Sequence, residues 1–173
     1  LSENKLKSII KIFGEEKEAS KIAKNIIKTR LKKKITNVNQ LVDVIKKSKR
    51  KKFNSKINPS TKTFQALRMF VNKEISELIK GISLATKILK PGGKILVISF
   101  HSIEDKIVKF LFNNFSLNKS KPSRYLPETT SGNLTFFENY KNKIFKPSLN
   151  EVNINSPSRS AKLRFAVRNN KKF

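Results

Sequence analysis

Along residues 1–34 apolar side chains recur at the spacing of a helix face. Ile9, Ile10 and Phe13 make one stripe, and Ala19, Ile22, Ala23, Ile26, Ile27 and Leu31 make a second at i, i+3, i+4 and i+7 intervals. Gly14 interrupts the pattern, so two helices are expected. The second opens with Glu15, Glu16 and Glu18 and closes with Lys28, Arg30, Lys32, Lys33 and Lys34, the order of charge a helix dipole favours. A third short helix is expected from Asn37, with Gln40 as its capping-box partner and Leu41, Val42 and Ile45 turned inward. Asn58-Pro59-Ser60 then opens a long helical segment. Its apolar face runs from Phe64 and Leu67 through Val71, Ile75, Leu78, Ile79, Ile82 and Ala85 to Leu89, with Gly81 a possible interruption.

Lys90-Pro91-Gly92-Gly93 is a stop and turn. The run that follows, Ile95-Leu96-Val97-Ile98-Ser99-Phe100, is continuously apolar, the pattern of a strand buried on both faces in a parallel sheet. Ser102, with Asp105 three residues on, is expected to cap a helix containing Ile103, Ile107, Val108 and Leu111. Helix, turn, buried strand and helix in that order predict an α/β fold. Residues 113–143 lack a clear period and read as a variable surface segment. Val152-Asn153-Ile154 and Leu163-Arg164-Phe165-Ala166-Val167 read as two terminal strands, antiparallel to each other, before a basic tail. One parallel-type strand and a terminal pair cannot complete a doubly wound sheet, so the chain reads as part of a larger fold. An opening residue other than Met agrees with that expectation.

Composition narrows the chemistry. The 173 residues hold 39 Lys and Arg against 12 Asp and Glu, a formal charge of +27 that predicts a polyanionic partner. Abundant Lys, Asn, Ile and Phe also suit a biased nucleotide composition, but such bias does not hold the acids to 12. There is no Cys and a single His, which excludes disulfides, thiolate catalysis and multi-histidine metal clusters; no metal site is expected. Apolar runs fall short of the roughly 18 residues a membrane helix needs, so a soluble, cytoplasmic protein with no membrane partner is expected.

Several groups stand out as candidate sites. His101 and Ser102 lie where a strand ends and a helix begins, the place where open α/β sheets bind ligands. The competing explanation is structural: Ser102 and Asp105 cap that helix, Glu104 offsets its dipole, and His101 satisfies a backbone group. Gln65, Arg68 and Asn72 fall at i, i+3 and i+7 on one helix flank, and their planar multidentate groups suit bases or phosphates as well as an ordinary polar flank. Lys46 to Lys56 holds seven basic residues and no acid, and Lys49, Arg50, Lys51 and Lys52 within it are candidate phosphate contacts. Arg159, Lys162 and Arg164 form a third basic group, placed on a strand with Ser160, Lys162 and Arg164 on one face and Arg159, Ala161 and Leu163 on the other. A glycine-rich strand-to-helix turn of the kind that cradles a nucleotide cofactor is not found, since Gly92-Gly93 precede a strand.

These blocks, in order, resemble the ribosomal small-subunit RNA cytosine-N4 methyltransferase family (RsmH/MraW). They are Gly14-Glu15-Glu16, Thr63-Phe64-Gln65-Ala66-Leu67-Arg68, Val71-Asn72-Lys73-Glu74, Leu89-Lys90-Pro91-Gly92-Gly93, Ser99-Phe100-His101-Ser102-Ile103-Glu104-Asp105-Lys106 and Ser158-Arg159-Ser160-Ala161-Lys162-Leu163-Arg164. The resemblance covers the C-terminal half of a family member. It implies part of a Rossmann-like class I methyltransferase sheet plus part of a helical insertion used for substrate recognition. Residues 1–58 would be the end of that insertion and 59–173 the later part of the methyltransferase domain, with 144–173 its last strands. It further implies S-adenosyl-L-methionine as cofactor, bound by motifs upstream of Leu1, so no cofactor-binding residue is expected in this chain. The implied substrate is a cytosine N4 amino group in 16S ribosomal RNA or the small subunit, and the implied partner is the missing N-terminal half. His101, Ser102 and Asn72 become candidates for the reacting site, and Gln65, Arg68, Arg159, Lys162 and Arg164 for RNA binding. The isolated chain is expected to be inactive; the alternatives are a stand-alone RNA-binding remnant and one half of a split enzyme. The chain departs from the family at Asn58-Pro59-Ser60-Thr61, where His-Pro-Ala-Thr is usual. It departs again at Asn155-Ser156-Pro157-Ser158-Arg159-Ser160, where Asn-Pro-Arg-Ser-Arg-Ser carries one more basic side chain.

Overall fold

The computed structural model describes residues 1–49, 58–116, 135–138 and 140–170. They form two compact units, Leu1–Glu74 and Ile75–Phe173.

The first unit is helical. α1 (Glu3–Gly14) is capped by the Ser2 hydroxyl, α2 is Ala19–Lys32, α3 is Val38–Ser48 and α4 is Thr61–Val71. α1 packs on α2 and α4, and α2 packs on α3. Their apolar faces converge on Leu6, Ile10, Ala19, Ile22, Ala23, Ile26 and Ile45, with Leu41, Val44, Phe64 and Leu67 around the rim. The expected start of α3 is present: Asn37 Oδ1 accepts the Gln40 N–H at 3.0 Å while Gln40 Oε1 accepts the Thr36 N–H at 2.8 Å. Leu31, expected on the buried stripe, is 80% exposed in the last turn of α2. Gly14 ends α1 for a packing reason: a Cβ there would lie 2.5 Å from the Lys62 carbonyl oxygen on α4.

The long helix expected after Pro59 is broken, though not at Gly81. α4 stops at Val71, Lys73 takes a left-handed conformation with φ 53°, and α5 (Glu74–Ile88) continues through Gly81.

In the second unit β1 (Lys94–Ser99) pairs antiparallel with β2 (Lys162–Val167), Leu96 opposite Phe165 and Val97 opposite Arg164. Gly92, at φ 76°, makes the turn into β1 and donates its N–H to the Arg168 carbonyl. α6 (Ser102–Asn114) packs on this pair through Ile103, Ile107, Val108, Leu111 and Phe112. The apolar run is therefore a strand, but it is not buried on both faces as its pattern predicts. Leu96 and Ile98 are 60% and 57% exposed, and among the described residues nothing pairs with the other edge of β1.

Two further expectations fail locally. Val152-Asn153-Ile154 is not a strand but lies in α7 (Leu149–Ile154), whose Ser148 hydroxyl accepts the Glu151 N–H. Ser-x-x-Glu is a helix start, and that signal outweighs three alternating residues. The partner of β2 is consequently β1. Residues 156–160 then form a short 3-10 helix, so Arg159 does not sit on a strand and the alternation of faces begins only at Lys162. Of the expected surface segment, Phe137 and Tyr140 are buried, their rings meeting Phe112 edge-on with centroids 5.4 Å away. Irregular backbone there is held by rings and by hydrogen bonds to Phe115 and Val167, which leave no periodic trace.

Candidate functional site

In the second unit the strand-to-helix turn and the segment leading into β2 face each other. Phe100, His101 and Ser102 on one side, and Arg159, Ser160, Ala161 and Lys162 on the other, line a cleft of about 310 Å³ to which Lys146 also contributes. Two basic-and-polar motifs far apart in sequence thus form a single concave surface with three cationic side chains, and the N-terminus of α6 adds the positive end of its dipole.

His101 is held at this cleft by Glu104. Its Nδ1 accepts the Glu104 N–H at 3.3 Å, so the ring proton belongs on Nε2, which lies 3.2 Å from Glu104 Oε1. His101 rather than Ser102 is therefore the N-cap, one residue earlier than the sequence suggests. Burial disfavours the charged form of Glu104. Hydrogen bonds from the imidazole and from the Phe100 N–H outweigh this and hold its carboxyl below the usual range.

Behind the cleft lies a buried charge cluster. Arg164, 3% exposed, donates from Nε to Asp105 Oδ1 at 2.6 Å and from Nη2 to Oδ2 at 3.3 Å. Its Nη1 donates to the Tyr140 hydroxyl at 2.9 Å and to Asn142 Oδ1 at 2.7 Å. Lys162 Nζ reaches the same Asp105 Oδ2 at 3.2 Å from the cleft side. Burial works against Asp105 ionising, but its hydrogen bonds to Arg164 and Lys162 and their charges prevail and lower its pKa. Tyr140 is pushed up by burial. Arg164, expected on an RNA-facing surface, is thus an interior residue tying β2 to α6. Lys162, one strand period away, joins that cluster and the cleft.

The remaining candidates belong to the first unit. Gln65 Nε2 donates to the Phe13 carbonyl at 3.3 Å, fastening α4 to the end of α1. Arg68 forms a two-pronged pair with Glu74, at 2.7 and 3.1 Å, and Asn72 Nδ2 approaches the same carboxylate at 3.5 Å. Lys49 is paired with Glu16 and the Pro59 carbonyl. Arg50, Lys51 and Lys52 lie outside the described residues. Asn142 lies in the stretch without period, Lys146 stands between that stretch and the first of the expected terminal strands, and Asp105 registered only as a capping position.

The model of the MraW methylase family matches residues 1–169. The chain belongs to that family. Among curated proteins it is 44% identical over 164 residues to the ribosomal RNA small subunit methyltransferase H of Ehrlichia canis, covering 95% of this chain and 52% of that protein. It is 38% identical over 170 residues to the methyltransferase H of Hyphomonas neptunium, covering 98% of this chain and 50% of that one. With the Bartonella grahamii protein it shares 44% over 163 residues, 94% of this chain and 48% of the relative. This member of the MraW family therefore spans about half the length of the curated relatives it matches. Among its described residues no helix is long and apolar enough to cross a membrane.

The cofactor implied by the family resemblance, S-adenosyl-L-methionine, is a sulfonium cation joined to adenosine. The cleft does not fit it. Its rim carries Lys146, Arg159 and Lys162, which repel a cation, and the turn after β1 is Ser99-Phe100-His101, without glycine.

Proposed function

We propose that this chain is the RNA-facing part of a methyltransferase that modifies the N4 amino group of a cytosine in 16S ribosomal RNA. The observation that carries the proposal is the cationic cleft at the carboxyl end of β1, where Arg159, Lys146 and Lys162 meet the His101-Ser102 turn. S-adenosyl-L-methionine supplies the methyl group in such a reaction, and its contacts come from the half of the family's length that this chain does not span. Arg159 and Lys146 hold backbone phosphates, which positions RNA without reading its sequence. Lys162 does the same while anchored to Asp105. The Glu104-held imidazole fixes the turn that fronts the cleft, and Ser102 faces the nucleotide brought there. In the first unit Arg68 and Asn72, gathered around Glu74, orient the substrate strand beside α4. Arg164 acts on the site through Asp105 and Lys162.

Two features support an incomplete sheet: the exposed Leu96 and Ile98, and an edge of β1 that nothing pairs with among the described residues. The free edge suits strands, and the exposed face suits helices, contributed by the rest of a family-length protein, and the 173 residues alone are inactive on this reading. A chimera tests it. This chain replaces the matching half of the Ehrlichia canis methyltransferase H, and transfer of labelled methyl to small subunits is followed by mapping of the modified nucleoside. Methylation of a cytosine N4 is expected, with Arg159→Gln raising KM and leaving kcat in place. Methylation of another base, or an Arg159→Gln effect on kcat alone, overturns it.

A further inference from the structure

The first unit carries a second basic concavity, distinct in its residues from the cleft. Lys21, Lys24 and Asn25 from α2 and Lys47, Ser48 and Lys49 from the end of α3 line a groove of about 400 Å³. Its floor is built rather than accidental. Asn25 Nδ2 donates to Ser48 Oγ at 2.9 Å, and that hydroxyl donates to the Val44 carbonyl at 2.6 Å, fixing α2 against α3. Lys49 is anchored by Glu16 at 2.5 Å. That pair uses the acid: among the described residues Lys21, Lys24 and Lys47 make no ion pair, and all three are exposed. Three ammonium groups thus stand on the two banks of a polar groove whose lining holds no carboxylate. Lys21 and Lys24 are also neighbours on one helix face, where like charges repel. A chain of phosphates relieves that repulsion and releases its own counterions.

We infer that this groove binds RNA backbone, giving the helical unit a phosphate-binding site separate from the cleft. The inference rests on the proposed RNA substrate. A rigid polar floor with lysines on both banks suits a polyanion threaded between them. A lipid surface would instead require apolar side chains beside the lysines, and the lining has none.

The test uses the 173-residue chain, a fluorescein-labelled single-stranded RNA oligonucleotide, and vesicles containing phosphatidylserine. A triple variant, Lys21→Gln with Lys24→Gln and Lys47→Gln, is compared with a charge-matched control, Lys5→Gln with Lys7→Gln and Lys11→Gln on α1, and helicity is checked by circular dichroism. Each phosphate contact on a single strand contributes about 0.7 to the salt slope. Loss of three should therefore flatten the slope by about 2, and make the affinity drop between about 50 and 200 mM salt roughly 20-fold smaller. The control should change the slope little. Equal effects from both triple variants would mean diffuse attraction and overturn the groove site. An unchanged slope in a folded groove variant would overturn it too, while leaving the RNA reading intact through binding lost on Arg159→Gln. Absence of RNA binding by the unmodified chain removes both. Vesicle binding lost only in the groove variant, with RNA binding unaffected, would assign the groove to a membrane and refute the inference.

Discussion

Removing the Asp105 carboxylate isolates a buried guanidinium, and the size of the penalty can be worked from the geometry. Arg164 keeps its bonds to Tyr140 and Asn142 but loses its two-pronged partner at 2.6 and 3.3 Å. Breaking a buried ion pair by deleting one member costs about 3–5 kcal/mol, because the other charge stays uncompensated. The Lys162 contact adds little, since that ammonium is partly exposed and regains water. Asp105→Ala should therefore destabilise the chain by about 3–5 kcal/mol, and Asp105→Asn, which retains an acceptor for Nε, by about 1.5–3 kcal/mol. In urea, with a slope near 2 kcal/mol per molar, the alanine variant lowers the midpoint by about 1.5–2.5 M. Replacing both partners, Asp105→Ala with Arg164→Met, should cost clearly less than the sum of the single changes. The pH dependence has a definite sign. A carboxyl whose native pKa is depressed stabilises fully above its unfolded value of about 3.9, and that contribution disappears as pH falls through the native value. The gap between wild type and Asp105→Ala should thus be flat from about pH 5 upward and close in acid. A midpoint shift no larger than that of the exposed-site control Asp43→Ala, or strict additivity in the double variant, would mean that Arg164 does not depend on Asp105 for its charge compensation.

Other perturbations probe separate links. Gly14→Ala should destabilise the first unit by about 1–3 kcal/mol despite alanine's better helix propensity, since its Cβ meets backbone at 2.5 Å; thermal melting checks this. His101→Ala removes an N-cap and should cost about 1 kcal/mol in the same assay, whereas His101→Asn, which caps equally well, should restore it. Leu96→Thr with Ile98→Thr should reduce self-association in light scattering without lowering the urea midpoint, because both side chains are more than half exposed.

Secondary structure was legible wherever a local rule acted alone. Asn37 and Gln40 announce α3, Pro91-Gly92-Gly93 announces the turn, and the Ile95–Ser99 run announces β1. Errors arose where tertiary geometry set the outcome. Whether β1 is covered on both faces depends on elements packed from outside its own sequence. Gly81 was a weaker breaker than the Asn72-Lys73 step, since one glycine inside a helix costs only about 1 kcal/mol. The candidate site was half visible. Its chemical groups at His101, Ser102, Arg159 and Lys162 stood out, but which basic side chains face inward did not, because Asp105 and Arg164 are 59 positions apart. Periodicity carries no information at that range.

The cluster behind the cleft also explains why the cleft stays positive. Asp105 carries one negative charge and is shared by Arg164 and Lys162, so the three together keep one surplus positive charge. Arg164 takes the shorter contact and the deeper position, which leaves that surplus with Lys162, the member that also lines the cleft. Strand alternation makes this sharing possible: Arg164 and Lys162 lie two residues apart on one face of β2, and both reach Asp105 on α6. Exchanging the two would bury a lysine, whose single ammonium cannot satisfy Asp105, Tyr140 and Asn142 in the fixed fork that arginine provides. The sequence Lys-Leu-Arg therefore encodes an orientation as well as a charge, with the guanidinium as the interior tie and the ammonium as the group left to meet an anion.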